Sequence, residues 1–567
     1  MNKLIDTPEL FFEVYQKMLR FGEVFVDTET TGLECWKDDE LIGISIYAYS
    51  ESYYFPFRHK EGRNLPINFL YSLLSKYLSN PERRIIGYNY KFDMHFLKKD
   101  GVEYNPNICD VMLGIHLLNE NEDSFKLKDL ADKYIDELSS KDEKDLISMI
   151  AEKTGEMSSK KLKAKMNVLT PEQVCDYACQ DVILTAKLYY MVKEALEAKE
   201  MDNLWNELNK YLYITSIMEY DGIKVNVDLI RKYSIEAEGK YKESLKKLSE
   251  KAGYEINPNS SKQICAFLGV KSSAVEVLET LDNEESKLVK ECRGWKSVVS
   301  RYYEPYLKSM DKEHVLHPSF NLIGTVSGRL SCSNPNLQAV ARATDVFKVK
   351  DVFIARDGYS FVSADYSQAE MRIGCFYAKE QKMIDMINSG ANLHTETAEL
   401  LGIPRDVAKR INFGVIYGIG ANALAEQLHI DLKVAKEYLN KYHNLYPQFK
   451  ILYKECENFA RKNGYIKMWS GRVRHYKSKD ETHKAMSNLI QGAVAEVMKY
   501  SIINLYPIIK DLGGRMLLQV HDQIMFEIPD EFLDISKQII LTVMSDYSFN
   551  PKLIVDIKEG KSWGSIS

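Results

Sequence analysis

FVSADYSQAEMR (residues 361–372) and MLLQVHDQIMFEI (residues 516–528) decide how this chain reads. In each, an apolar β-type run leads to an aspartate, Asp365 in the first and Asp522 in the second. At a strand end or hairpin turn, rigid backbone holds such a carboxylate. Two of them brought together can hold two divalent cations about 4 Å apart, the arrangement for in-line phosphoryl transfer. Between them, RDVAKRINFGVIYG (residues 405–418) reads as a helix with a basic face. Arg405, Lys409, Phe413 and Tyr417 recur every four residues there. Successive positions drift by about 40°, so all four share one broad face. Carboxylates for metal, followed by cations for a triphosphate, point to nucleotidyl transfer.

Composition sets the bounds. A chain of 567 residues suggests roughly three or four domain-sized units. Its 45% hydrophobic content supports substantial cores. No run of about 18 apolar residues occurs, so no membrane span is expected. The N-terminus, MNKLIDTPELFFEVYQ, lacks the apolar stretch and cleavage site of a signal peptide. The nine cysteines are scattered and odd in number, which suits free thiols in a reducing compartment and a cytoplasmic location. Cys175 and Cys179 lack a second Cys/His pair and read as buried small hydrophobes rather than zinc ligands.

The net charge of −6 argues against nucleic acid only if taken alone. Residues 441–480 carry ten Lys/Arg and three acids, with aromatics interleaved from Tyr442 to Trp469. A basic stripe with aromatics suits a surface that tracks a nucleic-acid backbone. The bland alternative is a solvated helix face over core aromatics.

The N-terminal third carries a second acidic set. EVFVDTE (residues 23–29) reads as a strand with Asp27 and Glu29 on one face. IIGYNYKFDMHFL (residues 85–97) contributes Asp93. VCDYACQDVILTAKLYY (residues 174–190) reads as a helix with Tyr177 and Asp181 one turn apart. Four carboxylates and a tyrosine from separate segments can bind two metals and position an attacking water. Asp110 reads as structural.

The three segments of the C-terminal half resemble motifs A, B and C of family A DNA polymerases, the DNA polymerase I family. The N-terminal set resembles DEDDy 3′→5′ exonucleases, with all five positions filled. TVSGRLSCSNPNLQ (residues 325–338), NLHTETAELLG (392–402) and NLIQGAVAEVM (488–498) resemble further family signatures. The resemblance implies an α/β multidomain fold: an RNase H-like 3′→5′ exonuclease domain followed by a right-hand polymerase with palm, fingers and thumb. The expected extents are 1–195 for the exonuclease, 196–320 for thumb and connecting helices, 321–375 for the first part of the palm, 376–480 for the fingers and 481–567 for the rest of the palm.

It also implies roles. Asp365, Asp522 and the Tyr366 carbonyl would hold two Mg²⁺ or Mn²⁺ ions. Asp27, Glu29, Asp93 and Asp181 would hold two divalent ions in the exonuclease, with Tyr177 and Glu29 orienting water. Gln368, Glu370, His394, Arg405, Lys409, Phe413 and Tyr417 would contact the nucleotide. Glu370 would crowd the sugar 2′ position and Phe413 would disfavour dideoxynucleotides. Arg329, Gln338, Gln491 and His521 would contact DNA, and Lys240, Lys242, Lys246 and Lys247 of the thumb would meet phosphates or solvent.

The expected partners of a monomer are primer–template DNA, dNTPs and replisome proteins such as a helicase, a primase and a single-strand binding protein. The layout, which starts at the exonuclease and has a short link from His394 to Arg405, resembles phage or mobile-element replicases; the cytoplasm would then be that of a bacterial host. One departure stands in motif C. Gln523 follows Asp522 where the family has glutamate, so any third-carboxylate role is missing. The alternative is a DEDD exonuclease whose C-terminal region binds DNA without catalysis.

Overall fold

Two sheets organise the chain. The computed structural model describes residues 2–135, 141–156, 162–341 and 348–567. The first sheet has six strands in the order Asn2–Leu4, Glu51–Pro56, Leu41–Ala48, Glu23–Thr30, Arg84–Gly87 and Ile108–Asp110. Glu23–Thr30 lies inside it, antiparallel to Leu41–Ala48 and parallel to Arg84–Gly87. Its VFV run is buried, as a strand covered on both faces requires. Helix Pro171–Ala198 crosses the sheet and starts with proline at its first position, where a missing N–H costs nothing. Val174, Tyr177, Asp181 and Thr185 of this helix are buried. Cys175 and Cys179 sit in a small apolar core with Ile42, Leu146 and Ile150, and all nine cysteines are free thiols.

The second sheet has four antiparallel strands in the order Arg515–Val520, Gln523–Pro529, Tyr359–Tyr366 and Val555–Gly560. Helix Ala485–Asp511 packs on it through a run of Ala, Val, Ile and Met side chains. A buried cluster pins this helix: Glu496 accepts from Arg472 Nε at 2.7 Å and from Lys499 Nζ at 2.6 Å. Helix Asp202–Asp221 bridges the two halves. Its Tyr211 hydroxyl donates to Gln519 Oε1 at 2.6 Å, and its Glu219 pairs with Lys91 at 2.5 Å.

Between the sheets in sequence, helices Val227–Ala252 and Glu284–Val298 pair around a separate core of Leu248, Ile256, Ile264, Leu278, Val289 and Cys292. Asn226 caps the first of them and Gly253, at φ +76°, ends it. Lys240, Lys246 and Lys247 lie on its exposed side beside Glu243 and Glu250. Five helices follow the Tyr359–Tyr366 strand and its Ala369–Ala378 and Gln381–Asn388 helices: Leu393–Leu401, Arg405–Ile416, Ala421–Leu428, Leu432–Leu445 and Pro447–Asn463. Among the described residues, no helix is long and apolar enough to cross a membrane.

The basic stretch 441–480 is only partly a surface. Tyr442, Tyr446 and Phe449 are core, whereas Phe459 and Trp469 are exposed. Arg472 is consumed by Glu496, and Arg474 reaches into the N-terminal half. There Glu120 accepts from Arg474 Nη1 at 2.7 Å, from the His475 backbone N–H at 2.6 Å and faces His475 Nδ1 at 3.0 Å. Asn121 donates to the His475 carbonyl at 3.0 Å. The Arg474 and His475 contacts with Glu120 and Asn121 clamp the two halves of the chain together.

Candidate active sites

The first site sits on an inner strand of the six-stranded sheet, where the long helix crosses it. Asp27 and Glu29 project from one strand and Asp181 from the crossing helix. One ligand oxygen from each lies within 4.8 Å of the others, a spacing that fits a bound metal ion. Glu29 Oε1 is buried and has no hydrogen-bond partner, as a ligand awaiting a cation would be. Asp93 stands beside this trio but is not part of it. Its Oδ1 accepts from the Thr28 backbone N–H at 2.8 Å and from the Thr28 hydroxyl at 2.5 Å. The Tyr177 ring lies against the trio. Asp110 is structural: its carboxylate caps the Val111–Leu118 helix and accepts from the Tyr90 N–H at 2.8 Å.

Two lysines complete this site, and sequence reasoning missed both. Lys128, on helix Leu127–Tyr134, is buried and ion-paired to Asp181. Lys163 Nζ donates to the Tyr177 hydroxyl at 3.1 Å. The only sequence signal for Lys128 is its place one turn before the buried Ala131 on the same helix face. Electrostatics follow from the crowding. Burial, then Asp93, Glu29 and Asp181, push Asp27 well above the carboxylate range. Burial and then Asp181 push Glu29 up to about 8. Burial raises Asp93 to about 7 against the Thr28 bonds. Asp181 is raised by burial while Lys128 pulls it down. Burial also raises the Tyr177 phenol.

The second site sits at one end of the four-stranded sheet. Asp365 is the penultimate residue of its strand and Asp522 lies in the hairpin turn between Val520 and Gln523. The Tyr366 N–H donates to the Asp522 carbonyl at 3.0 Å, which locks the two segments together. His521 (φ +56°) and Gln368 (φ +55°) are both left-handed, a cost of about 1–3 kcal/mol each that clusters at functional sites. Asp365 opens to solvent on one side, and desolvation by the protein packed around it, then Asp556 across the strand pair, raise its pKa. Burial lifts Asp522 to about 6, with Arg329 opposing and Glu370 adding to the rise. Gln523, opposite Asp365, donates to the Ser363 hydroxyl.

Glu370 is buried and accepts from both Arg329 and the Tyr417 hydroxyl. Arg372 turns away from it, to the carbonyls of Ser367 at 2.9 Å and Lys552 at 2.8 Å. Gln491 also reaches the Tyr417 hydroxyl. Arg405, Lys409 and Phe413 occupy one side of the Arg405–Ile416 helix, and Tyr417 follows its last turn. Lys409, Phe413 and Tyr417 line a cavity of about 540 Å³ with Asp406, Arg410 and Gln427. Arg405 Nε donates to Thr395 Oγ1 at 3.2 Å. His394 is more enclosed than a free phosphate ligand: it is buried, accepts from Asn412 Nδ2 at 3.0 Å and stands 5.5 Å from the Phe413 ring. Burial and then Lys409 lower its pKa. Gln338 braces the sheet, donating to the carbonyls of Leu330 at 3.2 Å and Gln519 at 3.0 Å.

Residues 227–565 match the model described as DNA polymerase family A, and residues 2–197 match a model described as 3′-5′ exonuclease. A DNA polymerase I of Borreliella burgdorferi is 29% identical across 98% of this chain and 63% of its own length. A DNA polymerase I of Bacillus subtilis is 26% identical across 93% of this chain and 62% of its own length. The chain thus spans less than two thirds of these relatives. The polymerase domain of Pol1 from M. smegmatis, solved in complex with DNA primer-template and dNTP, has the same fold. Its TM-score is 0.83 with 99% of both chains covered, at 21% identity.

Proposed function

This chain belongs to DNA polymerase family A, and we propose from that premise that it extends a primer 3′ end on a DNA template and trims that end with its own 3′→5′ exonuclease. The observation that carries this is Asp365 at a strand end locked beside Asp522 in a hairpin turn, with the end of the Arg405–Ile416 helix tied to the same site through Tyr417 and Glu370. Bound Mg²⁺ or Mn²⁺ ions, two per site, would supply Lewis acidity to the attacking and leaving oxygens.

The chain's own residues do the rest. Asp365, Asp522 and the Tyr366 carbonyl hold the ions of the polymerase site. Arg405 and Lys409 bind the triphosphate, and Phe413, backed by the enclosed His394, packs on the sugar. Glu370, fixed by Arg329 and Tyr417, crowds the 2′ position and favours deoxynucleotides. Gln368 lies beside the nucleotide and Tyr417 beside the templating base. Gln491, His521 and Arg329 lie on the primer side, with Gln338 behind them. In the exonuclease, Asp27, Glu29 and Asp181 hold one ion, Asp93 assists a second, and Tyr177 and Glu29 orient the water.

We assign residues 1–195 to the exonuclease, 196–320 to the thumb and its connections, 321–375 and 481–567 to the palm and 376–480 to the fingers. The ligands are primer–template DNA and dNTPs, and the protein acts as a cytoplasmic monomer with replisome partners such as a helicase, a primase and a single-strand binding protein. The named relatives are bacterial, so the phage or mobile-element resemblance draws no support from them. The test is a 5′-labelled primer on a longer template with Mg²⁺, with and without the four dNTPs. Extension with dNTPs and 3′ shortening without them is the expected result. Shortening in both lanes would leave an exonuclease with a non-catalytic DNA-binding region.

A further inference from the structure

We infer that Lys128 is a built-in counter-cation of the exonuclease site, holding Asp181 until a divalent ion takes the carboxylates and giving it up when the ion arrives. The inference rests on the exonuclease reading above. It starts from a rule of burial: lysine is almost never fully buried unless it is paired. Lys128 is buried and its ammonium is paired to Asp181, a member of the metal-spaced trio. A divalent ion that uses the same Asp181 oxygen must displace that ammonium.

The surroundings give the lysine a second resting place. Its Nζ lies 5.1 Å from the centre of the Tyr177 ring, and Lys163 approaches the same ring at 5.4 Å. An ammonium over a tyrosine face is attracted by the ring quadrupole. A lysine released from Asp181 therefore stays inside the site, facing the side where Tyr177 meets the substrate.

Two consequences have opposite signs. Without metal, Lys128 relieves repulsion among the carboxylates and stabilises the fold. With metal, it competes and weakens binding. A lysine that merely fills space would move neither quantity in this pattern.

The test uses the full chain with Asp365→Asn and Asp522→Asn to remove Mn²⁺ binding at the palm. Mn²⁺ affinity is measured by calorimetry and melting temperature is measured in EDTA and in millimolar Mn²⁺. Lys128→Met is expected to bind Mn²⁺ about tenfold more tightly, the scale on which neighbours of metal ligands move affinity. Its melting temperature should fall in EDTA and recover in Mn²⁺, while Lys128→Arg should behave as the parent. Unchanged or weaker Mn²⁺ binding would overturn the inference. If Lys128→Met does not fold, amine acylation of the parent read by mass spectrometry decides: faster labelling of Lys128 in Mn²⁺ than in EDTA supports displacement, and equal labelling refutes it. Trimming of a labelled primer by the unmutated chain is measured alongside. Loss of that trimming would sink the exonuclease reading itself, separately from the role of Lys128.

Discussion

The two acidic sites are built for the same ion chemistry and solve it differently. The exonuclease site buries its carboxylates in a crowded pocket and offsets them with lysines. The second site spreads two aspartates along a strand end and a turn, leaves Asp365 open to solvent and is offset by Arg329 and Lys558. Burial and then Asp181 push Glu29 to about 8, whereas burial pushes Asp522 only to about 6. The difference teaches that the first site depends on its metal and on pH for its own stability. The second depends on strand geometry.

The largest effect that would break this comparison is loss of one site without loss of the other. Asp522→Asn should reduce extension by about three orders of magnitude or more, on the scale of removing a catalytic group. Trimming should be kept. A primer assay that loses both activities would show that the sites are not independent.

Next in size is the clamp between the halves. Glu120→Ala leaves Arg474 buried without its charge partner, at a cost of about 3–5 kcal/mol. Denaturant unfolding should show this loss, and an unchanged midpoint would remove the clamp from the structural argument.

A pH comparison sharpens the contrast further. Carboxylates must ionise to bind metal, so trimming should fall earlier than extension as pH drops from 8.5 to 6.5. The sign for stability runs the other way. Glu29 has a folded pKa raised from 4.5 to about 8, so the metal-free fold loses stability as pH rises across that window. Glu29→Gln should flatten the melting temperature in EDTA between pH 5 and 9. A steeper fall in that variant would contradict the assignment.

The smallest effect concerns motif C. Gln523 donates to Ser363 and carries no charge. Gln523→Glu should change Mg²⁺-supported extension less than tenfold, below the range of outer ligand partners, and mainly shift the Mg²⁺-to-Mn²⁺ preference. A larger gain would mean that the glutamine limits the palm site.

Much of this was legible in the sequence. Asp365 and Asp522 could be read because apolar strand patterns lead directly into them, and Tyr177 and Asp181 because helical spacing puts them on one face. Asp93 was legible as an acid of the site, but not its tie to Thr28, which depends on how two segments meet. Lys128 was hidden because a lysine on an amphipathic helix ordinarily faces solvent, and only its distant partner Asp181 explains its burial. The basic stripe misled in the same way. Arg472 and Arg474 look like nucleic-acid contacts until Glu496 and Glu120 arrive from elsewhere in the chain. Enclosure of His394 by Asn412 and Phe413 likewise follows from helix packing rather than from its motif.

The most direct measurement is a reciprocal pair on a labelled primer–template in Mg²⁺. Asp27→Asn should extend with dNTPs and leave the primer intact without them, and Asp365→Asn should shorten the primer in both lanes. Extension that survives Asp365→Asn but fails with Asp27→Asn would contradict two independent sites and overturn the assignment of the palm.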